Sequence, residues 1–246
     1  MLKPIKKSSW RNHPSIPSGL RLYVVADVHG NAAALRDVFS RIDADMATAG
    51  ARRIVQIFLG DYIDRGPASS EVLTLLITRQ IKAELVLLKG NHEAMLLRFL
   101  RDPQTLGNWR QNGGLQTLIS YGLKPSLNPQ PEERRELGER FATVFPDAHR
   151  NLISKLQVRQ TCGDFFFAHA GVRPDVPLQD QREDDLLWIR EDFLFYEGEF
   201  GKVIVHGHTP VRQPEIHHNR INLDVGAYAT GKLACMVIDG QTIEFI

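Results

Sequence analysis

The sequence is poor in cysteine and has no long apolar run, and each shortage removes a class of protein. Its two cysteines, Cys162 and Cys235, stand far apart without a ligand-like spacing. That argues against a disulfide framework and a structural thiolate zinc site, and it suits a reducing cytoplasm. No apolar stretch reaches the length needed to span a bilayer, and residues 1–20 lack the apolar segment of a secretion signal. A formal net charge of +1 gives no electrostatic footprint for nucleic acid or a membrane surface. Also absent are Cys-x5-Arg, Gly-x-Ser-x-Gly and the phosphate-binding Gly-x4-Gly-Lys, so covalent cysteine or serine catalysis has little support.

The chain's 246 residues are 43% apolar and 24% charged, values that suit one sizeable soluble domain. Residues 1–20 are basic and turn-rich and read as a flexible arm, which leaves 21–246 as a single domain. LRLYVVAD (20–27), RRIVQIFLG (52–60) and AELVLLKG (83–90) read as strands. Each precedes a helical pattern: NAAALRDVFSRID (31–43), SSEVLTLLITRQ (69–80) and EAMLLRFLRD (93–102). This β-α rhythm belongs to a layered α/β fold. Residues 103–156 break it with polar, proline-marked sequence and read as a helical insertion. KLQVRQTCGDFFFAHAG resembles a hairpin, and the C-terminal stretch suggests short strands in antiparallel pairing. The expected fold is an α/β sandwich of two mixed sheets flanked by helices.

Polar residues gather where the strands end. Strand one runs into Asp27 and His29, strand two into Asp61, Asp64 and Arg65, strand three into Asn91, His92 and Glu93. Later strands deliver His169, then His206 and His208. In layered α/β folds the carboxyl ends of strands meet on one rim, where sites form. Imidazole with carboxylate suits divalent Mn, Fe or Zn. The supply is too large for one ion: Asp27, His29, Asp61, Asn91, His169 and His208 could hold two, about 3.5–4 Å apart, bridged by one carboxylate. Taken singly the signals are weak. GNHE could be a turn before a helix, with Glu93 favouring the helix N-terminus, and a lone His169 would more often be a packed histidine. His206 reads as packed or as support for His208. His217 and His218 read as surface residues, and Asp43 and Asp45 as a solvated helix end. The strength lies in joint occurrence and order.

DVHG, GDYIDRG, GNHE, HAG and GHTP, in that order, resemble the metallophosphoesterase superfamily, and the DRG within GDYIDRG narrows this to phosphoprotein phosphatases of the serine/threonine type. WRQNGGLQTLISYG, LLWIRE and VHGHTPVRQPEIHHNRINLDVGAYATGKL are similar to the bacterial branch. The resemblance implies a calcineurin-like β-sandwich with two metal ions, Mn²⁺ first, then Fe or Zn. Asp27 and His29 would bind the first metal, Asp61 would bridge, and Asn91, His169 and His208 would bind the second. His92 would be the general acid, oriented by Asp64, and Arg65, Arg190 and Asn91 would hold the substrate phosphate. Two departures, Ala26 for a usual Gly and Val225 for a usual Thr, remove no ligand. The implied reaction is direct attack of a metal-bridging hydroxide on phosphoserine or phosphothreonine in a protein or peptide, with phosphotyrosine open. The alternative is hydrolysis of diadenosine tetraphosphate or another nucleotide. A metal-binding scaffold without catalysis is disfavoured by the complete ligand set. A cytoplasmic monomer is the default expectation.

Overall fold

The first strand already dictates layers on both sides of its sheet. Leu22 and Val24 point one way, Tyr23 and Val25 the other, and all four are fully buried or nearly so. A strand apolar on both faces must be central in a covered sheet. In the computed structural model, which describes residues 13–50 and 52–246, that is where it lies.

The elements run β1 (Leu20–Val25), α1 (Ala32–Met46), β2 (Arg53–Phe58), α2 (Ser69–Gln80), β3 (Glu84–Leu87) and α3 (Asn91–Arg101). Next come α4 (Leu106–Trp109), α5 (Gly114–Ser120), α6 (Pro131–Val144) and α7 (Asp147–Ser154). The second half holds β4 (Arg159–Cys162), β5 (Phe165–Ala168), α8 (Glu183–Trp188), α9 (Glu191–Leu194), β6 (Val203–His206), β7 (Glu215–Ile216), β8 (Arg220–Asn222), α10 (Ala227–Thr230), β9 (Cys235–Asp239) and β10 (Thr242–Phe245). One sheet has the order β10-β9-β1-β2-β3 and the other β4-β5-β6-β8-β7. Both are mixed: β1, β2 and β3 are parallel with β9 and β10 antiparallel, while β5, β6 and β8 are parallel with β4 and β7 antiparallel. The expected α/β sandwich is therefore present.

Period-two alternation assigns the three cores. Leu22, Val24 and Ile57 face Phe165, Phe167 and Val205 between the sheets. Tyr23, Val25 and Phe58 turn outward onto α1, α2 and the helices of the 103–156 region. Phe166, Ala168 and Ile204 turn the opposite way onto Leu186 and Phe193 of α8 and α9. No helix among the described residues is long and apolar enough to cross a membrane.

Several local readings change. Of the arm expected over 1–20, residues 1–12 lie outside the described part. Ser15, however, is bound to Asp164 through both its N–H and its hydroxyl, and the Ile16 N–H donates to Gly240 O at 3.0 Å. Ile16 is buried in the inter-sheet core, so this stretch packs with the domain. The C-terminal strands pair antiparallel as expected where β8 meets β7 and β10 meets β9, but β8 also pairs in parallel with β6. Asp43 and Asp45 are more than a solvated helix end: Asp45 accepts from Arg21 and from the Tyr23 hydroxyl, and Asp43 pairs with Arg79. These bonds pin α1 to β1 and α2. His217 and His218 are exposed, as expected.

Candidate metal centre

Every loop that leaves the carboxyl end of a parallel strand brings a ligand-type side chain to one rim. After β1 come Asp27 and His29, after β2 Asp61, after β3 Asn91, after β5 His169 and after β6 His208. All six are buried. The loops are tight and their backbones unusual. Among the described residues, the non-glycine positions with positive φ are His29, Asp61, Asp64, Arg65, His208 and Asp175. All but Asp175 belong to the predicted site. Such conformations cost of order 1–3 kcal/mol each and persist only where surroundings impose them.

The imposing contacts are visible. Glu93 reaches back from α3, and its carboxylate accepts from the N–H groups of Gly90, Asp61 and Tyr62 at 2.8–2.9 Å. One side chain thus binds the second and third loops together. A Cβ on Gly90 would stand 2.0 Å from Asp61 Oδ1, and one on Gly207 would stand 2.2 Å from Asp27 Oδ1. Only glycine lets these two carboxylates sit where they do.

Asp61 is the geometric centre. Its Oδ2 lies 3.4 Å from His169 Nε2, 3.6 Å from His29 Nε2 and 3.7 Å from His92 Nε2. Two groups among the described residues could hold an ion, His29–Asp61–His92 and Asp61–His169–His208, with Asp61 common to both. Asn91 Oδ1 completes the second, 2.9 Å from His169 Nε2 and 3.0 Å from His208 Nδ1. Asp27 lies beside the first, 3.8 Å from His29 Nε2, and also accepts the His208 N–H at 3.2 Å. His29 and His169 each use Nδ1 to bond a backbone carbonyl, Ile63 O and Leu59 O, both at 3.0 Å. That leaves Nε2 turned toward Asp61, the outer-shell arrangement that orients a metal-binding imidazole. The His29 Nε2 atom is buried and has no hydrogen-bond partner. An orphaned imidazole nitrogen beside two carboxylates fits a divalent cation, as does the nitrogen and oxygen donor set.

The metal-free electrostatics point the same way. Burial, reinforced by Asp224, holds the Asp27 carboxyl well above its usual range. Burial would also raise Asp61, but His169 and His92 reverse this and hold it well below. Burial opposes a charge on His169, yet Asp61 and Asp27 push it up to about 10. A proton on His169 therefore sits amid the acceptors Asn91 Oδ1, His208 Nδ1 and Asp61 Oδ2. Burial, helped by His92 and Arg65, lowers His29 to about 3, and burial beside the His169 charge lowers His208 to about 2, so both stay neutral.

Beside the cluster, His92 Nδ1–H donates to Asp64 Oδ2 at 2.6 Å. Arg65 is half-buried, its NH2 group 3.4 Å from His92 Nε2 and its guanidinium 4.7 Å from the Tyr228 ring centroid. Arg190 is exposed at the start of α9, close enough for its charge to depress His208. His206 stays outside the cluster, buried with its ring edge-on to Phe193 at 4.9 Å.

Sequence reasoning misses three contributors, Asp224, Trp109 and Thr117, and gives a fourth, Glu93, too local a role. Asp224 is buried beside Asp27, its carboxyl lifted to about 6 by burial. LDVGA held the signal: another acidic residue at the end of a parallel strand. Glu93 acts across loops rather than only on its own helix. Trp109 and Thr117, from the 103–156 region, both bond Asp64. No spacing rule links them to a residue so distant in sequence.

The chain is 27% identical over 249 aligned positions, 91% of each chain, to the bis(5'-nucleosyl)-tetraphosphatase PrpE (asymmetrical) of Halalkalibacterium halodurans. Among solved structures it resembles one given provisionally as a diadenosine tetraphosphatase, with TM-score 0.62, 19% identity, and 94% and 98% of the two chains covered. It also resembles the cold-active protein-tyrosine phosphatase of a psychrophilic Shewanella, with TM-score 0.59, 14% identity, and 95% and 83% covered. The structural likenesses bear on the fold. The family model for the calcineurin-like phosphoesterases matches residues 20–233, which takes in every loop of the cluster, and the chain belongs to that family.

Proposed function

We propose that this protein hydrolyses dinucleoside polyphosphates, with diadenosine tetraphosphate as the reference substrate, at a two-metal centre. The reading rests on Asp61 standing at the junction of two ligand triads in a chain that aligns over nearly its whole length with a tetraphosphatase. It reverses the order suggested by the DRG motif, which put phosphoserine and phosphothreonine first. Hydrolysis of phosphoproteins, phosphotyrosine included, becomes the competing outcome of the test.

Asp27, His29 and Asp61 would hold one cation, and Asp61, Asn91, His169 and His208 the other. Mn²⁺ is the first choice, with Fe or Zn next. Such cations supply charge stabilisation at phosphoryl oxygens and lower the pKa of water. The remaining work falls to the chain. Arg65 and Arg190 offer planar forks that meet two phosphate oxygens at once, and Asn91 carries an amide to the same place. His92 presents Nε2 toward the cluster while Asp64 holds its Nδ1–H. A proton on Nε2 is thereby placed for delivery to the leaving oxygen, an effect worth about 10²–10⁴-fold where the leaving group is a poor one. Two free cysteines support work in a reducing cytoplasm, and a monomer suffices because one chain supplies every group.

The test is a paired assay. Metal-stripped protein, with and without Mn²⁺, is compared on diadenosine tetraphosphate and on a phosphothreonine peptide. Metal-stimulated turnover with higher kcat/KM on the dinucleotide supports the reading. Preference for the peptide moves the protein to phosphoprotein signalling with the same centre. His92→Asn should cost much more on an alkyl phosphate than on the tetraphosphate, whose leaving group is already acidic. Equal losses would remove the general-acid assignment.

A further inference from the structure

Two exposed aromatic rings border the buried cluster. Tyr228 is 46% exposed and meets His29 edge-on at 5.6 Å between centroids. Trp188 is 36% exposed and meets His208 edge-on at 6.3 Å. They stand beside histidines of different triads, so they mark two sides of the mouth. Their free surfaces differ. The Arg65 guanidinium lies over the Tyr228 ring at 4.7 Å, so Tyr228 is already committed to a cation and steadies a phosphate-binding arginine. Trp188 has no cation over it among the described residues.

Tryptophan buries more apolar area than any other side chain, and leaving its ring in water forfeits that gain. The neighbours show that α8 is otherwise well packed: Leu186 and Leu187 are fully buried or nearly so, Ile189 is 7% exposed, and Leu186 and Ile189 belong to the core beneath β5 and β6. The helix therefore presents Trp188 outward from a fixed base. The next exposed residue is Arg190, whose charge is felt at His208. A flat apolar surface and a phosphate-binding fork thus stand two residues apart on one rigid segment, against one end of the cluster.

That pairing fits a nucleotide. Splitting a dinucleoside tetraphosphate asymmetrically breaks the bond between the first and second phosphates. One nucleoside is then attached directly to a phosphate at the reacting centre, and its base must lie at the rim. We propose that Trp188 is the platform on which this nucleobase stacks, with Arg190 on the adjoining phosphate. The proposal rests on the dinucleotide reading above and names the residue that would confer it. A phosphoserine or phosphothreonine side chain has no planar group to use such a surface.

The test separates base from phosphate. AMP and ribose 5-phosphate differ only in the adenine, and each is titrated into the Mn²⁺-loaded full chain by calorimetry. Stacking on an aromatic side chain is expected to make AMP bind about ten- to hundredfold tighter. Trp188→Ala should erase that difference and leave ribose 5-phosphate binding within about twofold, while Trp188→Phe should keep part of it. AMP should also quench tryptophan fluorescence in the wild type but not in Trp188→Phe. If Trp188→Ala weakens both ligands equally, the ring merely supports His208 and the platform is rejected. An unchanged AMP preference in Trp188→Ala puts the base elsewhere and also rejects it, while wild-type turnover of the tetraphosphate leaves the substrate reading intact. Absence of that turnover in the wild type overturns the substrate reading and the platform together.

Discussion

The indole N–H of Trp109 donates to Asp64 Oδ2 at 2.6 Å, the same oxygen that accepts from His92 Nδ1 at 2.6 Å. The other oxygen, Oδ1, accepts from the Thr117 hydroxyl. Thr117 also accepts from the Asp64 N–H at 3.0 Å, and Ser69 Oγ joins both. Asp64, Trp109 and Thr117 are all buried. The 103–156 region, read from sequence only as an insertion, therefore fixes the carboxylate that orients the proposed general acid.

This arrangement has a kinetic signature. Trp109→Phe retains an aromatic ring against Phe99 and deletes one donor to Asp64, and Thr117→Val deletes the other while keeping the shape. A hydrogen bond to a charged group contributes about 1.5–3 kcal/mol, so each change should lower kcat on an alkyl phosphate about tenfold or more. KM should stay within about twofold, and loss on an aryl phosphate should be smaller. Thr117→Ser should restore most of the rate. A raised KM with unchanged kcat would show that these residues shape the pocket rather than orient His92.

Glu93 carries a second prediction. Its carboxylate serves four backbone N–H groups in two loops, and burial lifts its own pKa to about 7. Glu93→Gln turns an amide NH₂ toward some of those donors. Outer-shell changes of this kind cost about 10–100-fold in metal affinity, and each buried N–H left unpaired costs about 1–3 kcal/mol. Calorimetric Mn²⁺ titration should show weaker binding, and thermal melts a lower Tm. A melt that falls while Mn²⁺ affinity holds would confine Glu93 to folding.

Much of this site was legible because strand periodicity and ligand chemistry coincide. DVHG, GDYIDRG and GNHE each follow an apolar run, so their polar residues had to emerge at one sheet edge. Asp61, His169 and His208 then met as the motif order implied, and Asp27 and Asn91 lie against them. Contacts made across the fold were not legible. Asp224 needs the parallel β6–β8 pairing to reach Asp27, and the short C-terminal strands carry no signal that one of them pairs in parallel with β6. Trp109 and Thr117 act through a helical segment whose docking no local pattern encodes. Ser15 and Ile16 looked like arm because turn-rich sequence reads alike whether it is free or bonded to a neighbouring loop.

The last prediction concerns the helical layer, away from the metal cluster. His149 on α7 is 5% exposed and bridges α2 and the segment after α5. The Thr74 hydroxyl donates to Ser70 O, so it accepts from His149 Nε2–H at 3.1 Å, and the Tyr121 hydroxyl donates to Nδ1 at 2.7 Å. This pattern fits the neutral ring, and burial lowers the His149 pKa below its ordinary value. The unfolded chain then binds a proton more readily than the folded one. The stabilising contribution is fully present above the unfolded pKa of about 6.5 and is lost as pH falls through that value toward the folded pKa. Urea midpoints measured from pH 8 to pH 5 should fall more steeply for wild type than for His149→Gln. The wild type's advantage should be greatest at pH 8 and shrink below about pH 6.5. A constant difference across that range would mean that His149 acts through packing alone, and a difference that grows on acidification would mean that the folded state favours the protonated ring, overturning the neutral assignment.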